Sequence, residues 1–217
     1  MRHTVESSCA PLLVQSREQG GTRRRVVRPG QGRVGDLGAI SVEFKLDGAD
    51  TGGALAIVEH EFGVGALVSP HRHTFEDEFS IVTKGRIGFR TGDHEVVLGV
   101  GGYIAKPRGE VHAMWNAGDE PARMIEVISP AGFERFFHEV ADRSAAGDTD
   151  PERGRALADS FGLEVVDPPW LADVVRRYGL SDAGSMDEAS VGETAAPWGT
   201  AHEVVGTAGS QLAGAVR

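Results

Sequence analysis

The sequence predicts an all-β sandwich or barrel followed by helices, and three observations lead to this fold class. Short runs that alternate apolar and polar residues recur between residues 34 and 130, as half-buried strands do. Glycine and proline separate these runs where tight turns are needed. After Pro130 the apolar residues change from a period of two to helical spacing.

Composition is that of an ordinary globular protein. The 217 residues suffice for a buried core, and 40% are hydrophobic and 25% charged. Phosphate binding needs a basic face and the net charge is −10, so we expect no nucleic-acid partner. The single cysteine, Cys9, allows no internal disulfide, and no apolar run reaches the roughly 18 residues that span a bilayer. We therefore expect a cytoplasmic protein without a membrane partner.

Four segments follow one another along the chain. Residues 1–33 are polar and arginine-rich and are predicted to form an N-terminal arm. Residues 34–130 contain the strand-like runs and are predicted to form a β-barrel. Residues 131–180 carry three helical patterns and form the predicted C-terminal helical extension. Residues 181–217 are rich in small residues and acids, a composition that is typical of a disordered tail.

The strand-like runs can be placed individually. They are ISVEFKL (40–46), ALAIVEHEF (54–62), three runs within DEFSIVTKGRIGFRTGDHEVVLG (77–99), a short run on either side of the turn at 107–109, and ARMIEVIS (122–129). The two turns inside the triple run are predicted at Lys84-Gly85 and Gly92-Asp93.

Candidate metal ligands lie in and after the stretch PHRHTFEDEF, residues 70–79. His71 and His73 are two residues apart, so on an extended strand both imidazoles point to the same face. Glu78 begins the next strand-like run, and His112 lies in a later one. Three imidazoles and one carboxylate can together bind a divalent transition metal.

The spacing of these residues resembles the two sequence motifs of the cupin superfamily. The first motif is matched by Gly65, five residues, His71-Arg72-His73, four residues, Glu78, six residues and Gly85. The second is matched by Gly101, five residues, Pro107-Arg108-Gly109, two residues, His112, three residues and Asn116. Fifteen residues separate the two motifs. The glycines fall where tight turns would need a positive φ or a close approach of the backbone.

The resemblance implies a fold and a site. The fold would be the cupin double-stranded β-helix, a jelly-roll barrel, here followed by C-terminal helices. His71, His73, Glu78 and His112 would bind one divalent transition metal inside the barrel. The metal could be Fe, Ni, Co, Mn, Cu or Zn, because such a ligand set accepts several. The continuation SPAGFERFF (129–137) is similar to single-domain bacterial cupins described as quercetin-dioxygenase-like.

Two other acids compete with Glu78 for the role of carboxylate ligand. Glu76 is only three residues past His73, and Asp77 faces away from Glu78 once the strand has begun. Superfamily spacing and strand phase favour Glu78. Glu76 and Asp77 are expected to face solvent or to hold the loop.

The resemblance leaves more than one function open, because a fold alone does not fix an activity. The first hypothesis is a metal-dependent dioxygenase that acts on a small enolic or aromatic, flavonol-like substrate and on dioxygen. Glu78 would then also be the catalytic base. The alternative is a non-oxidative isomerase, epimerase or lyase, or a cupin that binds a small ligand without converting it. Cupins are commonly dimers, so a homodimer is expected.

A substrate pocket is predicted around three apolar side chains. Val82 and Met114 share strand faces with Glu78 and His112, respectively, and Phe62 lies on an earlier strand. Core packing is an equally good reading for Val82 and Met114. His60 alternates with Phe62 and is expected to be a hydrogen-bonded sheet histidine rather than a fifth ligand.

Overall fold

Two antiparallel β-sheets form the body of the protein in a computed structural model that describes residues 26–181. In chain order the elements are β1 (Arg33–Asp36), β2 (Ile40–Leu46), α1 (Gly48–Thr51), β3 (Ala56–Phe62), β4 (Leu67–His73), β5 (Asp77–Lys84), β6 (Arg86–Thr91), β7 (His94–Gly99), β8 (Tyr103–Lys106), β9 (His112–Asn116), β10 (Ala122–Ser129), α2 (Glu134–Ala145), α3 (Pro151–Ser160), β11 (Leu163–Val165) and α4 (Leu171–Tyr178). Residues 1–25 of the predicted arm and all of the predicted tail but Ser181 lie outside the described residues.

The sheets are built from strands that are distant in sequence. The first sheet has the order β1-β2-β3-β10-β5-β8, and the second has the order β11-β4-β9-β6-β7. The predicted all-β fold with C-terminal helices is confirmed. The sequence pattern does not reveal β1, α1 or β11, which are three or four residues long and show little period.

The turns between strands use glycine in the left-handed region of φ. Gly85 joins β5 to β6 with φ of +68°, and a Cβ placed there would come within 2.9 Å of the Ala122 side chain. Gly109, in the turn before β9, has φ of +76°. Both positions therefore require a residue without a side chain.

Alternate residues of β10 point into the space between the sheets. Ala122, Met124, Glu126 and Ile128 are all at most 1% exposed. Glu126 is thus a charged residue among the inward-facing positions of the strand, which are otherwise apolar. The antiparallel register places it beside Ser80 on β5, so both side chains reach the same interior.

The C-terminal helices cover the sandwich. Phe133, just before α2, and Phe136 on this helix are buried in a core cluster that also contains Phe44 and Ile128. Helix α3 begins after Asp150, whose carboxylate accepts hydrogen bonds from two backbone N–H groups of the first turn, as the sequence predicts for an N-cap. The extension is not purely helical, since β11 pairs with β4. Among residues 26–181, no helix has the length and apolar character to cross a membrane.

Candidate metal centre

Four side chains from three strands meet between the two sheets. His71 and His73 lie on β4, His112 lies on β9, and Glu78 lies on β5 in the opposite sheet. Each offers one ligand atom, and these atoms all lie within 4.8 Å of one another. All four side chains are buried. The structure therefore brings together the four residues that the sequence selects as metal ligands.

Backbone carbonyls set the orientation of two of the imidazoles. Nδ1 of His71 donates to the carbonyl oxygen of Ser69 at 2.7 Å, and Nδ1 of His112 donates to that of Glu110 at 3.1 Å. A carbonyl oxygen can only accept, so the ring proton is on Nδ1 and the lone pair is on Nε2. Metal-binding histidines are usually held by such a hydrogen bond from the second ring nitrogen.

Two inward nitrogen atoms of the site have no hydrogen-bond partner within residues 26–181. They are Nε2 of His73 and Nε2 of His112, which are buried and each lie 3.4 Å from a carboxylate oxygen of Glu78. A buried polar atom that stays unpaired costs about 1–3 kcal/mol. A cation at the centre of the cluster would satisfy these atoms, so the residues fit a divalent metal.

Burial tunes the histidines for this role. It lowers the pKa of His71 well below its usual value, helped by the proximity of His112 and His73. Burial likewise lowers the pKa of His112. Both rings are therefore neutral at neutral pH and keep the lone pair that a metal needs.

A buried lysine shares the interior with the cluster. Nζ of Lys106, on β8, lies 2.9 Å from Oε2 of Glu78 and 2.9 Å from Oε2 of Glu126. The other oxygen of Glu126 accepts from the Ser80 hydroxyl at 3.0 Å. One ammonium group between two buried carboxylates leaves negative charge uncompensated when both are ionised, which also favours a bound cation.

The pKa values of the two carboxyl groups next to Lys106 shift in opposite directions. Burial alone would raise the pKa of Glu78, but His73 and the Lys106 ammonium outweigh it and hold that pKa well below the usual value. Burial raises the pKa of Glu126 to about 7, although Lys106 opposes the shift. Glu78 is thus the ionised carboxylate of the interior, as a metal ligand must be.

The two rival acids have different environments, and one expectation needs correction. Glu76 does not face solvent: it is 6% exposed, and its Oε2 lies 3.9 Å from Nδ1 of His73, on the side away from the cluster. The tight turn after β4 folds its side chain inward. Asp77 holds the loop, since its carboxylate accepts from the backbone N–H and the guanidinium of Arg108.

A cavity opens beside the cluster, with an empty volume of about 510 Å³ that includes its mouth. Its lining consists of Leu37, Ala39, Ile40, His60, Leu67, Val68, Ser69, His71, His73, Glu78, Met114, Glu126, Phe133 and Phe137. Of the predicted pocket residues, Met114 lines it. Val82 and Phe62 are not among the lining residues and are buried in the adjoining hydrophobic core.

Sequence reasoning missed Lys106 and Glu126, although a signal for each was present. Lys106 lies two residues after Ile104, on the same face of β8, and pairs with Glu78 on β5. Glu126 is in phase with Met124 and Ile128. A charged residue in the apolar phase of a strand indicates a buried, paired charge.

Comparison with known proteins finds similarity over the part of the chain that contains the site. The cupin domain family matches residues 58–128. The tetracenomycin polyketide synthase protein TcmJ of Streptomyces glaucescens is 31% identical over 124 residues, which are 57% of this chain and 68% of the relative. A germin-like protein, subfamily T member 2, of Arabidopsis thaliana is 37% identical over 70 residues, which are 30% of this chain and 32% of that protein.

Among solved structures, KdgF from a Halomonas species aligns with 51% of this chain and 99% of its own, at 18% identity and a TM-score of 0.47. The family match spans all four clustered side chains, and the Streptomyces relative is aligned over two thirds of its length. The protein belongs to the cupin superfamily.

Proposed function

We propose that the protein is a metal-dependent cupin enzyme of the dioxygenase type that acts on a small enolic or aromatic, flavonol-like molecule. One observation carries this proposal: the buried cluster of three histidines and Glu78 lies in the wall of a mainly apolar cavity. A mainly apolar cavity with a few converging polar groups is typical of a small-molecule site. His71, His73, Glu78 and His112 would hold the metal.

A divalent metal would supply Lewis-acid stabilisation of an anionic substrate oxygen and, if redox-active, electrons for dioxygen chemistry. The residues of the chain would do the remainder. Glu78 is ionised and could accept the proton of an enolic hydroxyl, while Lys106 holds one of its oxygens at 2.9 Å. The low pKa of Glu78 favours the form that binds a cation and limits its strength as a base. Apolar side chains such as Phe133 and Met114 would exclude water.

Oxygen uptake tests the proposal. Protein of known metal content is mixed with a panel of flavonols and 1,3-diketones, and dioxygen consumption is measured together with incorporation of ¹⁸O into the product. We expect one dioxygen consumed per substrate, with both atoms retained in the products. The variant His71→Ala/His73→Ala, which lacks two of the ligands, serves as the inactive control. Conversion of a substrate at full rate without dioxygen would contradict the dioxygenase assignment.

A non-oxidative reaction is the second candidate, and the Streptomyces relative favours it. That protein is named for a polyketide synthase, and polyketides carry ketone and enol groups. Lewis-acid activation with proton transfer by Glu78 could isomerise, epimerise or cleave such a molecule without dioxygen. Anaerobic conversion of a poly-ketone or phenolic substrate would support this candidate. Binding without any turnover would support a ligand-binding role instead.

A further inference from the structure

His60 is a buried histidine that the metal cluster does not include. It lies on β3 at the inner face of the first sheet, in register with Val42 and Met124, and is 2% exposed. Its ring lines the same cavity as the cluster. The four clustered ligand atoms belong to other residues, so a fifth-ligand role has no geometric support.

The tautomer of His60 follows from one hydrogen bond. Nδ1 lies 3.0 Å from the backbone carbonyl oxygen of Ser41, which can only accept, so Nδ1 carries the proton. Burial is the main cause that lowers the pKa of His60 to about 4, and the ring is neutral at neutral pH. Nε2 therefore has a lone pair and no proton, which makes it an acceptor.

This acceptor has no protein donor. Among residues 26–181, the only hydrogen bond of the His60 side chain is the one to Ser41. The expected role, a hydrogen-bonded sheet histidine, accounts for only one of the two ring nitrogens. Because His60 lines the cavity, a molecule in the cavity is the natural source of a donor for Nε2.

Glu126 provides a second acceptor on the same wall. It is two residues from Met124, which pairs with His60, so the two polar side chains are diagonal neighbours on adjacent strands. Such neighbours typically have Cα atoms about 7–8 Å apart, within reach of one ligand. Each oxygen of Glu126 already accepts one hydrogen bond and can accept another.

We infer that Nε2 of His60 selects the substrate by accepting a hydrogen bond from a substrate hydroxyl group. This hydroxyl group is separate from the substrate oxygen that meets the metal centre. The inference rests on the proposed function and deepens it. The substrate class would be an apolar ring system with two oxygen functions, an enolic oxygen for the metal centre and a separate hydroxyl donor for His60. An apolar wall without His60 would bind the hydroxylated and methylated forms of such a molecule about equally.

The test compares two ligands, one with hydroxyl donors and one in which methoxy groups replace them. Zinc-loaded, ¹⁵N-histidine-labelled protein is titrated with a polyhydroxylated flavonol and with the same flavonol methylated at its non-enolic hydroxyls. We expect at least about tenfold weaker binding of the methylated form, which corresponds to the loss of about 1.4 kcal/mol. The Nε2 resonance of His60 should shift with the hydroxylated ligand and not with the methylated one.

Two variants complete the design. His60→Leu removes the Nε2 acceptor and should lose most of the preference for the hydroxylated ligand, with unchanged zinc content because His60 is outside the cluster. His60→Gln restores a carbonyl oxygen near the position of Nε2 and should recover part of the preference. A His60→Leu protein that keeps zinc and keeps the full preference overturns the inference. An Nε2 resonance that the hydroxylated ligand leaves unchanged also overturns it. Selection without dioxygen uptake would instead refute the dioxygenase assignment and leave the role of His60 standing.

Discussion

Lys106 Nζ lies 2.9 Å from Oε2 of Glu78, so a buried ammonium group holds the carboxylate of the candidate metal centre. The same nitrogen lies 2.9 Å from Glu126. The side chains of Lys106 and Glu126 are each 1% exposed, so water cannot solvate either charge if its partner is removed. We therefore expect the stability of the protein to depend both on Lys106 and on a bound metal.

Replacing Lys106 with Met should destabilise the metal-free protein by about 3–5 kcal/mol, because two buried carboxylates lose their shared cation. The loss should be smaller with metal bound, since the cation compensates Glu78. Urea denaturation with and without a chelator measures both values. The double variant Lys106→Met/Glu126→Gln should recover much of the loss. If the double variant is as unstable as the single one, the unpaired charge of Glu126 is not the cause.

Metal binding should depend on the histidines of β4. We expect about one divalent transition metal per chain in the parent protein and a sharp loss in His71→Ala/His73→Ala, measured by elemental analysis. Arg72→Ala is the matched control, because Arg72 lies between them and its side chain faces outward to Glu164. Equal metal content in the parent and the double histidine variant would refute the ligand assignment.

Glu78→Gln separates metal binding from proton transfer. Three histidines remain, so metal should still bind, though more weakly. If Glu78 is the catalytic base, turnover per bound metal should fall by about 10²–10⁴-fold. Activity is divided by measured metal content, because lost metal would imitate a lost base. Unchanged turnover per metal would remove Glu78 from the proton-transfer step.

Glu76→Gln tests the carboxylate that lies behind His73. Because Glu76 is buried 3.9 Å from Nδ1 of His73, its charge should orient that ring rather than bind the metal. We expect metal affinity to fall by about 10–100-fold with turnover per metal unchanged. Asp77→Asn is the control, since Asp77 contacts Arg108 at the surface. Abolished turnover in Glu76→Gln, with full turnover in Glu78→Gln, would mean that the ligand was assigned to the wrong acid.

Acid should destabilise the protein through His60. Its pKa is about 4 in the folded chain, against 6.5 for an unperturbed histidine. Burial is the main cause of the lower pKa; Lys106 adds to the shift and Glu78 opposes it. The unfolded chain therefore binds a proton that the folded chain excludes, and stability falls as the pH drops from about 6.5 to about 4, by at most about 3 kcal/mol. His60→Leu should lose this component. Denaturation curves of the parent protein and of His60→Leu, measured at each pH in the presence of a chelator, give the difference in unfolding free energy. If this free energy depends on pH in the same way in both proteins, the buried ring is not the cause.

Several features were predictable from local sequence. Strand β2 was placed at its observed bounds because ISVEFKL shows a clear period of two. His71 and His73 could be paired because residues two apart on a strand share a face. Asp150 and Pro151 marked the start of α3, since an N-cap acid and a first-turn proline act locally. The homodimer remains a prediction.

By itself the sequence determined the strand series, the helical extension and the four side chains of the candidate metal centre, because period, turn residues and motif spacing are local properties. Only the tertiary structure decided what surrounds those side chains. The register of β5 with β8 and β10 brings Lys106 and Glu126 into the interior. The turn after β4 buries Glu76 against His73, and the position of β3 leaves Nε2 of His60 without a partner among the residues that the structure describes. These contacts join residues far apart in the chain, and which of them form depends on strand order and register, which no local pattern specifies.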